Sequence, residues 1–170
     1  MMQRSLITSR PTSRRRLLGW LGAGAALPVL AACGGSEAAA RTYPVSYSPA
    51  EWRKRLSPQQ FHILREAGTE YPGTSPLLNE HRKGTFTCAA DGNQLFASNT
   101  KFDSGTGWPS FWKPLPGAVL ERTDNSLFDQ RTEVLCLRCG GHLGHVFDDG
   151  PAPTHLRYCM NGLALKFMPS

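Results

Sequence analysis

The sequence predicts a small, mainly β, antiparallel domain preceded by two short helices. Three observations predict it. Two Ser-Pro segments, at Ser48-Pro49 and Ser57-Pro58, carry the chemistry of helix starts. Helical periodicity disappears beyond Gly68. From Gly84 onward, short apolar or aromatic pieces alternate with clusters of Gly, Pro, Asn and Asp, the pattern of short strands joined by tight turns. At 170 residues the chain is long enough for one domain with a real core.

Taken from the N-terminus, residues 1–32 read as a targeting segment. Arg14, Arg15 and Arg16 precede an apolar run rich in Ala, Gly and Leu from Leu17 to Ala32. A positive region, an apolar region and small residues at its end make a signal peptide, here with the paired arginines of the twin-arginine route. A disordered arginine-rich tail leaves the apolar run unexplained. A membrane anchor fits poorly, because the run is short, rich in Gly and contains Pro28. The signal ends in Leu30-Ala31-Ala32-Cys33, which resembles a bacterial lipobox. That resemblance implies a lipid on Cys33, cleavage before it and a membrane-anchored envelope protein. A Cys near an ordinary cleavage site is the alternative.

The formal charge of +6 does not point to nucleic acid. Residues 1–32 hold five arginines and no acid, which leaves 14 basic against 13 acidic residues in the remainder. A nearly neutral body offers phosphate backbones little.

Residues 33–47 read as a linker, with a small-residue stretch from Gly34 to Ala40. Ser48-Pro49-Ala50-Glu51 and Ser57-Pro58-Gln59-Gln60 then start the two helices. Phe61, Leu64 and Ala67 recur at helical spacing, and Gly68 stops the second. The strands are expected at Gly84–Cys88, Leu95–Ser98, Val119–Arg122, Arg131–Cys136, His145–Phe147 and Leu163–Met168, with Arg157–Cys159 also strand-like.

The chemistry is concentrated between Cys136 and Gly162. Cys136-x-x-Cys139 followed by Gly140-Gly141 has the shape of a zinc knuckle, in which a tight turn aims two sulfurs at one point. Cys88-Ala89-Ala90-Asp91-Gly92 has the same shape, with Asp in the place of the second Cys. Cys88, Asp91, Cys136 and Cys139 are therefore candidate ligands of a structural zinc. A disulfide or buried free thiols would also account for these cysteines. Cys159 has no partner at metal spacing. Arg157 lies two residues before it, on the same face of a strand, and a cation there favours a thiolate. His142 and His145 can supply an acid, and Asp148 or Asp149 can orient a histidine.

From about Ser48 to Pro169 the sequence resembles the B-type methionine-R-sulfoxide reductases. The stretches that carry the resemblance are Gly68-Thr69-Glu70, Leu95 to Ser98, Lys101 to Phe111, Arg131 to Val134, Cys136 to Pro151 and Arg157 to Asn161. It implies two small antiparallel sheets with peripheral N-terminal helices. It implies Cys159 as the nucleophile that attacks sulfoxide sulfur and becomes a sulfenic acid. His142, His145 and Asp149 would bind and protonate the sulfoxide oxygen, Arg157 would favour the thiolate, and Asn161 would hydrogen-bond near the water network. Trp108, with Phe111 as a second wall, would receive the substrate methyl group. The partners implied are oxidised proteins and a thioredoxin-like or other thiol reductant, with no organic cofactor and a monomeric chain.

Two departures from the family pattern stand out. Many members place a resolving cysteine where this chain has Thr106, so an external thiol or one of Cys88, Cys136 and Cys139 must reduce the sulfenic acid. His155 stands where the family usually has Gly, and no role is assigned to it. A zinc-knuckle binding module would need none of Cys159, Arg157 and Trp108. A disulfide oxidoreductase would place its C-x-x-C at a helix start in an α/β pattern, not among strands.

Overall fold

The computed structural model describes residues 42–126 and 129–170. The signal segment, the lipobox and Cys33 lie outside the described residues. Among the described residues no helix is long and apolar enough to cross a membrane.

Both helix starts form as their sequences dictate. In α1 (Pro49–Arg55) the Ser48 side chain accepts from the Glu51 N–H, and the Glu51 carboxylate accepts from the Ser48 N–H at 2.9 Å. In α2 (Pro58–Glu66) Ser57 and Gln60 repeat the reciprocal pair at 3.2 Å each way. Each box satisfies backbone donors that a helix N-terminus leaves open. The end of α2 differs from expectation by one residue. Ala67 takes the left-handed conformation (φ 52°), while the Gly68 N–H donates to His62 O at 3.0 Å. A Cβ at Gly68 would meet the ring of His62, an exposed side chain that would have to swing aside. Trp52 of α1 and Phe61, Ile63 and Leu64 of α2 are buried in the core.

Among the described residues nine strands follow: β1 (Gly84–Cys88), β2 (Gln94–Ala97), β3 (Lys101–Phe102), β4 (Ser110–Phe111), β5 (Val119–Asp124), β6 (Arg131–Cys136), β7 (His142–Phe147), β8 (Arg157–Met160) and β9 (Leu165–Pro169). They make two antiparallel sheets, one in the order β2-β1-β9 and one in the order β3-β4-β8-β7-β6-β5. The two-residue strands β3 and β4 have no counterpart among the expected elements, and β7 begins three residues earlier than expected. Phe96 stacks on Phe111 at 4.3 Å between ring centres, with Phe86 edge-on to Phe111 at 4.9 Å. These rings join elements of the two sheets in one core.

The end of the expected linker is docked on the domain. The Tyr43 ring lies over Gly140, and the Val45 N–H donates to Arg138 O at 2.9 Å.

Candidate active site

Four neighbouring strands set the site. Cys159 on β8 is directly opposite Ser110 on β4 and His145 on β7, and His145 is opposite Glu133 on β6. Along β8, Tyr158 and Met160 are buried, whereas Arg157 and Cys159 remain partly accessible on the other face. This row opens into a cleft of about 140 Å³ lined by Trp108, Arg131, His145, Phe147, Cys159 and Asn161, among others.

His142 and His145 are three apart, a spacing that puts side chains on opposite faces of a regular strand. The register between β6 and β7 shifts between Val134 and Leu135, as a β-bulge does, and the two rings then meet edge to face, 5.4 Å between centres. Gly144 within the bulge is required by close approach, since a Cβ there would strike the Cys159 carbonyl oxygen.

Each histidine has its own carboxylate. His145 Nε2 pairs with Asp124 Oδ2 at 2.8 Å, and Arg131 donates to the same oxygen at 2.7 Å. Hydrogen bonds from Ser126, then His145 and Arg131, hold the Asp124 carboxyl far below the ordinary carboxylate range. Burial pushes His145 below its ordinary value, against the opposing pull of Asp124. His142 is buried and pairs through Nδ1 with Glu133 Oε1 at 2.7 Å, and Arg122 holds the other Glu133 oxygen at 2.6 Å. Burial works against the Glu133 charge, but the bonds from His142 and Arg122 outweigh it and keep the carboxyl below its usual value. His142 Nε2 is buried without a partner among the described residues. A buried ring nitrogen in that state is poised for a water or a substrate atom.

The remaining expected residues fall into three groups. Trp108 lines the cleft and is held by its Nε1–H donating to Glu70 O at 3.2 Å. Asn161 lines it too, but its amide is committed to backbone: Nδ2 donates to Leu143 O and Oδ1 accepts from the Glu70 N–H. Asp149 does not reach the histidines. Its carboxylate forms a two-pronged pair with Arg157 at 2.7 and 2.8 Å, and its side chain is 58% exposed. The pair raises the Arg157 guanidinium and lowers the Asp149 carboxyl, and Arg157 also stacks over Phe147 at 4.3 Å. Phe111, expected as a second wall, is absent from the cleft. It is fully buried between Phe86 and Phe96, because Ser110 takes the Cys159 side of β4 and strand alternation sends Phe111 into the core.

Sequence reasoning gave no role to Asp124, Glu133, Arg131 or Glu70. Glu70 and Arg131-Thr132-Glu133 stood among the stretches that carried the resemblance, and that was the available signal. Ser104 was also missed. Its hydroxyl bridges Thr106 and Ser110 at 2.8 Å each, and Thr106 Oγ1 lies 3.8 Å from Cys159 Sγ.

A second cluster lies apart from Cys159 in chemistry. Cys88, Asp91, Cys136 and Cys139 bring one ligand atom each within 4.8 Å of one another. The two turns are alike. The Gly92 N–H donates to Cys88 O and the Gly140 N–H to Cys136 O, each at 2.9 Å, and both glycines have positive φ. Cys88 and Cys139 sulfurs are 3.8 Å apart, and Cys136 Sγ lies 3.7 Å from the Asp91 oxygens. A tetrahedral ion with bonds of about 2.0–2.3 Å sets its ligands about 3.4–3.8 Å apart, so the donors fit one. The four cysteines described are free thiols, and a sulfur pair at that distance is not a disulfide. Bonds from Cys139 and Cys88 favour ionisation of Cys136, while the hydrogen bond to Cys136 drives Cys139 the other way.

The SelR domain family matches residues 56–169. The peptide methionine sulfoxide reductase MsrB of Agrobacterium fabrum is 56% identical over 126 residues, covering 74% of this chain and 93% of the relative. The chain belongs to the MsrB family. The protein of the same name from Leptospira interrogans is 52% identical over 126 residues (74% and 96% covered). That of Methanosarcina barkeri is 53% identical over 124 (72% and 87%). The SelR match, residues 56–169, thus takes in both the Cys159 cleft and the four-ligand cluster.

Proposed function

We propose that this chain reduces the R epimer of methionine sulfoxide in proteins through a sulfenic acid on Cys159, as an exported, membrane-anchored repair enzyme. Membership of the family makes it an oxidoreductase acting on methionine sulfoxide in peptides. The observation that carries the finer reading is the placement of Cys159 between His145 and Thr106 on a cleft walled by Trp108.

The sulfur of Cys159 attacks the sulfoxide sulfur, and the oxygen leaves with a proton supplied from the His142–His145 side. The thiol gains one oxygen and the substrate departs as a thioether: Cys–SH plus R₂S=O gives Cys–SOH plus R₂S. Sulfoxide oxygen leaves poorly until protonated, which is the task of an imidazole pair held by Asp124 and Glu133. The Trp108 face receives the methyl group beside the polarised sulfur. Two external thiols then return Cys–SOH to Cys–SH, releasing a disulfide and water. An external donor is favoured because Cys88, Cys136 and Cys139 are committed to one another and to Asp91.

Cys88, Asp91, Cys136 and Cys139 hold a zinc ion in this reading. The ion supplies cross-linking of two turns rather than chemistry on the substrate. Export and anchoring rest on the arginine-led signal and on Cys33.

The test is a single turnover of each diastereomer of a blocked methionine sulfoxide, with mass analysis and thiol counting. R-epimer turnover with one thiol lost and one oxygen gained is expected, and Cys159→Ser should give no product while its circular dichroism is unchanged. Product from Cys159→Ser, or equal use of both epimers, would overturn the assignment.

A further inference from the structure

Apart from the Cys159 cleft, a groove of about 750 Å³ lies between α2 and the segment 69–77. Its floor is apolar, with Ile63, Leu77, Leu163 and Leu165. No Lys, Arg or Asp lines it. Its one carboxylate, Glu70, is already bound by the N–H groups of Gly162 and Leu163. Its one imidazole, His62, is paired with Glu66 at 3.1 Å, so a charged ligand finds no free counter-charge among the lining residues.

The groove and the cleft are neighbours. Thr69 lines both, and the next residue supplies the carbonyl that holds Trp108. Two residues beyond Thr69, Tyr71 lines the groove and stands 84% exposed, the most exposed large apolar side chain among the described residues. Its segment is fixed to the loop that carries Thr106 and Trp108, since the Gly73 N–H donates to Gly107 O at 2.8 Å and Pro72 fills the space over Gly107. An aromatic side chain held outward on a fixed segment has the character of an interface anchor.

Resting on the reductase reading above, we infer that this groove seats the uncharged, apolar stretch of polypeptide flanking the oxidised methionine. The chemistry of the lesion favours that occupant. Oxidation turns an apolar core side chain into a polar one and disrupts the core around it. A methionine whose core is disrupted in this way brings apolar neighbours to the surface with it. Trp108 and Cys159 act on the sulfoxide, while Tyr71 and the groove hold its neighbours.

The experiment compares one blocked methionine R-sulfoxide with peptides that flank the same residue with Leu and Val, or with Lys and Glu, on either side. The full chain is set against Tyr71→Ala and Gln59→Trp, the latter an exposed α2 position that lines the groove. The expected result is kcat/KM about tenfold higher for the apolar peptide than for the charged one or the blocked residue. Both variants should erase that preference and leave the blocked residue's turnover within twofold. Equal use of both peptides, or a preference that survives both variants, overturns the inference while leaving the reductase reading in place. Dimerisation abolished by Gln59→Trp with unchanged peptide kinetics also overturns it, by assigning the groove to a second copy. No turnover of the blocked residue by the unaltered chain removes the reductase reading and the inference with it.

Discussion

Thr106→Cys should convert the chain from one that needs an external thiol into one that closes its own disulfide. Thr106 Oγ1 lies 3.8 Å from Cys159 Sγ, and the residues on either side, Gly105 and Gly107, have φ of 70° and 90°. A thiol at 106 needs to approach to about 2.05 Å, a closing movement that a loop with glycines on both sides of the new sulfur can share. Losing the Thr106 hydroxyl removes its 2.8 Å bond to Ser104, at a cost of about 1 kcal/mol. The new bond would close a loop of 53 residues, worth about 4 kcal/mol by chain entropy. The oxidised variant should therefore gain about 4 kcal/mol over its reduced form, and about 3 kcal/mol, or about 10 °C in melting temperature, over the parent. Thiol counting after a single turnover should fall by two in the variant and by one in the parent. Scanning calorimetry of the oxidised and reduced variant then reads the stability. A count that falls by one, with a sulfenic acid still trapped by dimedone, would show that the loop does not present position 106 to the sulfur, and the reasoning from proximity would fail.

Two further substitutions probe the metal cluster and the His145 pair. Cys136→Ser should lose bound zinc by elemental analysis and lower the melting temperature by more than about 10 °C, with the first turnover largely retained. Unchanged melting with lost recycling would instead make Cys136 a resolving thiol. In Asp124→Asn the carboxylate that opposes the burial of His145 disappears, so the His145 pKa falls further below its ordinary value. If His145 supplies the proton, the alkaline limb of kcat/KM moves to lower pH, and an unmoved limb would exclude it as the donor. The same variant changes acid stability in a defined direction. Asp124 has its carboxyl depressed in the folded chain, so its contribution is present above the ordinary carboxylate pKa and is lost as pH falls through the native one. Stability below about pH 4 should therefore vary less with pH in Asp124→Asn than in the parent.

What the sequence made legible was local chemistry. Ser-Pro-x-Glu and Ser-Pro-x-Gln carry both halves of a capping box within four residues, and both boxes form. The two turns of the candidate metal cluster are equally local, each a first Cys, an Asp or Cys three residues on and a glycine after it. The strands Gly84–Cys88 and Arg131–Cys136 carry β-branched or aromatic residues and lie where expected, whereas β3 and β4 do not announce themselves. Two residues flanked by Ser, Gly and Pro hold strand conformation through their neighbours, not through propensity.

The site depends on register, which no local pattern encodes. His142 and His145 share a face only because β6 and β7 slip past one another at Val134 and Leu135. Glu133 and Asp124 become histidine partners only when three strands are aligned. Phe111 misleads for the same reason: beside Trp108 it reads as a cleft wall, but pairing Ser110 with Cys159 turns it inward. A one-residue slip of β8 against either neighbour would bury Cys159 and expose Tyr158 or Met160. Gly144 opposes such a slip, because only a residue without a Cβ lets β7 approach the Cys159 carbonyl in this alignment. A residue with no side-chain chemistry is thus as much a part of the candidate active site as the histidines beside it, since the position of the Cys159 sulfur depends on it.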